Sequence, residues 1–129
     1  MKKNVLTSVT VSLAAAAMIS GTAMAAEYKV GIIQFVDDAS LNQIEQNIEK
    51  ELTAKSEEEG GDTYVFDGYV YNGQADSTTL NQITTQLIDD GVDVIVPIAT
   101  PAAQAAANEI KDIPIVGTAI TDYTSAKLV

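Results

Sequence analysis

The chain has 129 residues, with 7 Lys+Arg against 18 Asp+Glu for a formal net charge of -11, and it contains no Cys, His or Trp. So acidic a chain repels phosphate backbones and anionic lipid, which excludes nucleic-acid and membrane-surface roles. Without thiols or imidazoles there is no disulfide framework, no zinc-thiolate site and no serine or cysteine triad.

The first residues read as an export leader. Lys2 and Lys3 form a positive start, Val9 to Ile19 an apolar stretch, and Ala23-Met24-Ala25 a small-x-small cleavage pattern. The apolar run is too short for the roughly 20 residues a bilayer span needs, and Gly21 and Thr22 interrupt it. Cleavage after Ala25 is expected, and losing the two leader lysines takes the net charge to -13. The remainder suffices for one domain with one core, and no Pro-, Gly- or Ser-rich linker divides it. Glu57-Glu58-Glu59-Gly60-Gly61 reads as a helix end with a glycine stop.

Two kinds of segment alternate from Tyr28 onward. Tyr28 to Phe35 is β-rich and nearly continuously apolar, a buried strand. Leu41, Ile44, Ile48 and Leu52 then recur at helical spacing, with Ser40 the expected cap. A second strand begins at Thr63-Tyr64-Val65-Phe66 and runs to about Val70, followed by the polar loop Asn72 to Asp76. Leu80, Ile83, Leu87 and Ile88 form a second helical stripe, stopped by Gly91 and capped by Ser77 or Thr78. Val92 to Ile98 is a third strand. Thr100-Pro101 opens the alanine-rich helix Ala102 to Ile110, since threonine caps free amides and proline at a first helical position loses nothing. Ile113 to Thr118 is a fourth strand. Pro97 deletes a ladder donor inside the third strand, which a local bulge would accommodate.

This alternation with short connections requires right-handed crossovers and a parallel sheet covered on both faces, a doubly wound α/β domain. Ligands of such sheets bind beyond the carboxyl ends of the strands. Those ends collect Gln34 to Asp38, Asn72 to Asp76, Ala99-Thr100 and Thr118 to Asp122, beside helix N-termini whose free amides suit a carboxylate. The candidate ligand-binding residues are Phe35, Asp38, Tyr71, Thr100, Thr121 and Asp122. Each has a plainer reading. Thr100 reads equally as a cap, Asp37 and Asp38 as first-turn acids, Asp122 as a turn aspartate, and Phe35 and Tyr71 as core or rim.

Enzymatic alternatives are weaker. No GxGxxG or GxxxxGK[ST] phosphate loop occurs. Asp37-Asp38, Thr100 and Lys127 mimic the acidic pair, threonine and lysine of a receiver-type phosphorylation domain, yet the third strand ends without an acceptor aspartate. No nucleophile and base can be paired, so a binding module with no cofactor, no metal and no catalytic residue is expected.

Four segments together resemble the bacterial ABC transporter substrate-binding proteins that include tryptophan- and tyrosine-binding members: Lys29 to Asp37, Tyr71 to Asp76, Ile98 to Gln104 and Pro114 to Asp122. The resemblance implies one lobe of a type I periplasmic-binding fold, exported and soluble once the leader is removed, since no lipid-attachment cysteine is present. It implies a small solute, an amino acid such as the aromatic ones that some members bind, with a membrane ABC permease as partner. Thr100 and its helix amides would face a carboxylate, Asp122 an ammonium group, and Phe35 or Tyr71 an apolar side chain. A sugar ligand is the alternative within the same fold, though five Tyr, two Phe and no Trp give it little support. Many members carry His-Pro where this chain has Asp38-Ala39, so contacts there are expected to differ. The family continues past the position of Val129 into a hinge and second lobe, so the chain is expected to be a fragment whose last strand lies at a sheet edge.

Overall fold

β1 (Glu27–Gln34) is hydrogen-bonded along both of its edges, and its two backbone faces belong to different neighbours. The computed structural model describes residues 25–59 and 61–129, so the expected leader, apart from its last residue, lies outside the described residues. Even-numbered residues of β1 bond one edge: Thr63 N–H donates to the Ala26 carbonyl (2.8 Å), Ile32 N–H to Tyr69 O (2.9 Å) and Gly73 N–H to Gln34 O (2.7 Å). Odd-numbered residues bond the other: Asp93 N–H donates to Lys29 O (2.8 Å) and Phe35 N–H to Ile98 O (3.3 Å).

The first edge carries β2 (Thr63–Val65) and β3 (Val70–Asn72), and the second carries β4 (Val94–Ile98), all parallel to β1. The second strand read from the sequence is thus two short strands on one edge. A tight turn at Asp67-Gly68, closed by Tyr69 N–H to Phe66 O (2.9 Å) with Gly68 at φ 85°, separates them.

The helices α1 (Ala39–Glu59), α2 (Ser77–Asp89) and α3 (Thr100–Glu109) lie on both faces of the sheet. Strand alternation divides the core accordingly. Val30, Ile32, Val96 and Ile98 meet Leu41, Ile44, Ile48 and Leu52 of α1. Ile33 and Ile95 meet Leu80, Ile83 and Leu87 of α2 and Ala102, Ala105 and Ala106 of α3. The small alanines let α3 sit close to sheet and helix neighbours, and Gly31 leaves room for Leu87, whose methyl lies 2.9 Å from where a Cβ would stand. The doubly wound α/β class expected from the sequence is the observed one. Among the described residues no helix is long and apolar enough to cross a membrane.

Several local expectations are corrected. The bulge at Pro97 does not exist: the β1–β4 register runs unbroken from Val30↔Val94 to Gln34↔Ile98. Pro97 is tolerated because its nitrogen faces away from β1, toward residues 113–118. The predicted fourth strand there is not a continuous strand but two bridges, Ile95↔Ile115 and Ile98↔Thr118. Its bonds to β4 are Ile95 N–H to Pro114 O, Val116 N–H to Ile95 O and Thr118 N–H to Pro97 O (2.9 to 3.1 Å), and the donor missing from the series is the one proline lacks.

The caps also shift. Ser40 lies inside α1, and the Asp38 carboxylate accepts from Ser40 N (2.9 Å) and Leu41 N (3.3 Å). Neither Ser77 nor Thr78 caps α2; Asp76 does, accepting from Thr79 N (2.7 Å) and Thr79 Oγ1 (2.8 Å). Thr100 is the first residue of α3 and not its cap, a position held by Ala99. Asp76 sits where the chain is still extended, at φ -120° and ψ 124°, the backbone a cap requires.

Leu87 is fully buried where α2 meets the sheet. Leu87→Ala is expected to cost about 2–5 kcal/mol, read as a lower urea midpoint with an unchanged slope.

Candidate ligand-binding site

Four loops leave the carboxyl ends of the sheet, and backbone bonds join them side by side. Ala75 N–H donates to Phe35 O (2.9 Å), Phe35 N–H to Ile98 O (3.3 Å), and Ala99 N–H to Thr118 O (2.9 Å). Thr121 N–H closes the series on Thr100 Oγ1 (3.3 Å). The loops after β3, β1, β4 and residue 118 therefore form one belt.

The belt is conformationally unusual. Gln74 (φ 53°), Ala75 (φ 56°), Ala99 (φ 82°) and Ala119 (φ 56°) all occupy left-handed backbone without being glycine. Ala99, with ψ 155°, lies in a region normally restricted to glycine, and such residues persist where the surroundings over-determine them. Gly73 tightens the same belt: a Cβ there would lie 2.3 Å from a Leu80 methyl and 3.2 Å from Phe35 O.

The three helix N-termini beside the belt are not equivalent. α1 is closed by Asp38 and α2 by Asp76, so each has a carboxylate over its amides. α3 is preceded by Ala99 at its cap, whose methyl offers no acceptor, and Pro101 removes one amide from its first turn. The Thr100 hydroxyl oxygen accepts from Thr121 N, which leaves its own proton free to donate. An anion is therefore favoured at α3 by both the helix dipole and the hydroxyl, and disfavoured at α1 and α2.

The remaining expected site residues fall as follows. Phe35 and Tyr71 are half-buried and pack against the α2/α3 core. Phe35 also lines a groove of about 380 Å³ together with Ala75, Ser77, Leu80, Pro101 and Gln104. Thr121 and Asp122 are exposed at the far end of the belt. Asp122 directs Oδ1 to Thr124 N (2.9 Å) and Ser125 N (3.2 Å), and Oδ2 to Ser125 Oγ (2.7 Å). These bonds, the Ser125 hydroxyl foremost, hold its carboxyl below the ordinary aspartate value. Asp38 is at the belt, with one oxygen committed to α1. Sequence reasoning passed over Ala99, since nothing in an alanine announces positive φ, and passed over Asp76 as a cap.

A larger groove of about 550 Å³ lies elsewhere, along α1 against Phe66, with Glu49, Glu57 and Lys50 in its lining. Partial burial, with Glu45 and Asp67 nearby, pushes the Glu49 carboxyl up to about 7. That groove runs along the side of α1 and has no helix N-terminus, so the belt is the better ligand site. Among the described residues no cluster of three His, Cys, Asp or Glu could hold a metal ion.

Comparison with known proteins identifies the family of the chain. The family described as ABC transporter substrate binding protein matches residues 29–129, and the chain belongs to that family. A tyrosine-binding protein of Clostridioides difficile is 40% identical over 100 residues, which is 78% of this chain and 28% of that one. Among solved structures, the ABC domain from Streptococcus pneumoniae in complex with L-Trp superposes with a TM-score of 0.70 at 34% identity, covering 81% of this chain and 34% of that one. The ligand-free, open structure of a Clostridium difficile substrate-binding protein with adhesive properties gives 0.64 at 33% identity, over 79% and 34%. The chain thus spans between a quarter and about a third of the length of these relatives.

Two outcomes test the belt. Ala99→Gly relieves the backbone strain and is expected to raise stability by about 1 kcal/mol by thermal or chemical denaturation. Bonds from Thr79 lower the Asp76 carboxyl below its ordinary value, so its stabilisation is present above the unfolded aspartate range and is lost as pH falls through the folded value. Asp76→Ala is therefore less stable than the parent at pH 7, and the gap closes in acid denaturation below about pH 3.9.

Proposed function

We propose that this member of the ABC transporter substrate-binding family is part of an extracytoplasmic solute receptor, and that its belt of strand-end loops captures an amino acid, with aromatic side chains favoured. The leader at residues 1–25 would export it, and a membrane permease would receive the cargo. The role is carriage and not catalysis.

The observation that carries this reading is the open N-terminus of α3, where uncapped amides and the Thr100 hydroxyl meet, while the N-termini of α1 and α2 are already closed by carboxylates. A zwitterion suits such a site, with its carboxylate at α3 and its ammonium toward the acids of the belt. Asp122 keeps lone pairs for that ammonium, Thr121 borders it, and Asp38 flanks the mouth. Phe35 and Tyr71 offer ring surface to an apolar side chain. The tyrosine named for one relative and the L-Trp bound in another support an aromatic amino acid.

The test is an ¹⁵N NMR titration of residues 26–129 with L-tryptophan, L-leucine and glucose, a readout that registers millimolar binding. Amides of Thr100, Ala102 and Thr121 are expected to shift with the amino acids, most with L-tryptophan, and to stay still with glucose. Asp122→Ala is expected to weaken the L-tryptophan response about tenfold. Shifts with glucose alone, or none at the belt with either amino acid, would defeat the reading.

A further inference from the structure

Four aspartates stand at the strand ends, and three are tied to their own turns. Asp38 accepts from Ser40 and Leu41 amides, Asp76 from Thr79, and Asp122 from Thr124 and Ser125. Each of those carboxylates has a structural task that explains its presence. Asp37 has none: its Oδ1 accepts from the side-chain Nδ2 of Asn42 (2.7 Å), and no backbone amide bonds it.

What lies behind Asn42 is unusual for a loop. Gln34 is the last residue of β1 and 4% exposed, one of two buried polar residues among the described residues. Its Nε2 donates to Val36 O (2.8 Å) and to Asn42 Oδ1, which uses both amide hydrogens. Because Oδ1 of Asn42 must face that donor, its Nδ2 is turned outward to Asp37, and the reverse orientation would set two NH₂ groups against each other. Gln34 Oε1 accepts from no described residue. A polar side chain is placed in the core at a desolvation cost, and its product is one exposed carboxylate held in a fixed direction.

We propose that Asp37 joins Asp122 in receiving the ammonium group of the ligand, and that Gln34 and Asn42 are positioning residues that aim Asp37. The inference rests on the amino-acid reading of the belt and adds to it the acid that the caps leave available. Asp122, with three bonds to its own turn, has less remaining capacity for a cation than Asp37, which has one. The ligand class follows: solutes with a free amine are selected over their deaminated analogues.

The experiment compares L-tryptophan with indole-3-propionate, which keeps ring and carboxylate and lacks the amine, by NMR titration of residues 26–129 and three variants. Asp37→Asn is expected to weaken L-tryptophan about tenfold and to leave indole-3-propionate unchanged. Asn42→Ala is expected to do the same, and the double variant to lose no more than either alone. Gln34→Leu, if folded, is expected to match them and to speed hydrogen exchange of the Asn42 side-chain amide at least tenfold. Asn42→Ala alters a half-buried residue and keeps the test available if Gln34→Leu does not fold. An unchanged preference for L-tryptophan over indole-3-propionate in Asp37→Asn overturns the proposal while leaving the belt as the site. Additive losses in the double variant overturn the positioning role. Absence of any belt response in the parent instead removes the amino-acid reading itself, and the role of Asp37 with it.

Discussion

Parallel pairing on both edges of β1 places two demands on eight residues, and most of the architecture follows from how they are met. The backbone must satisfy β2 and β3 on one side and β4 on the other, which the even and odd residues do in turn. The side chains must fill two helical layers, which Val30 and Ile32 do toward α1 and Ile33 toward α2 and α3. A strand buried on both faces cannot alternate polar and apolar residues, hence its continuous apolar run. Its carboxyl end then falls in the middle of the sheet, with loops on either side within one backbone bond of Phe35. The site is central because the strand is.

The large features were legible because they depend on patterns that survive without tertiary knowledge. The stripe Leu41, Ile44, Ile48, Leu52 could only be one face of a helix, and the apolar run before it only a buried strand. The parallel sheet followed from connection lengths and chirality, and the candidate site was sought beyond its strand ends on the same ground. What was hidden depended on direction. Pro97 reads as a defect until it is known which edge its nitrogen faces. Ser40, Ser77 and Thr100 were good caps by type, but Asp38 and Asp76 stood one or two residues earlier, and Ala99 displaced Thr100 because the chain turns through positive φ before it. Resemblance to the substrate-binding family supplied the solute class, which residue pattern alone did not reach.

The polarity of the belt arises from caps and not from formal charge. The chain is strongly acidic, yet it presents an anion-accepting point where α3 lacks a capping side chain. Two aspartates neutralise the other helix ends, so the residue type that stabilises α1 and α2 also leaves the third as the open one. Under the proposed function, local helix stability and ligand orientation would be served by the same bonds.

Residues 113–118 are held to β4 by a row of bonds with one member absent at Pro97, and Val116 there is 56% exposed. Stability within a fold is graded, and a segment with fewer bonds opens more often than the strands beside it. When it opens it carries with it Ala119, Thr121 and Asp122, and so releases the Thr121 bond to the Thr100 hydroxyl. The belt is thus divided into a stiff half, anchored on β1, and a breathing half, anchored on this segment. A solute that touches both halves would suppress that breathing, and part of its binding free energy would appear as slowed backbone exchange across residues that it never contacts.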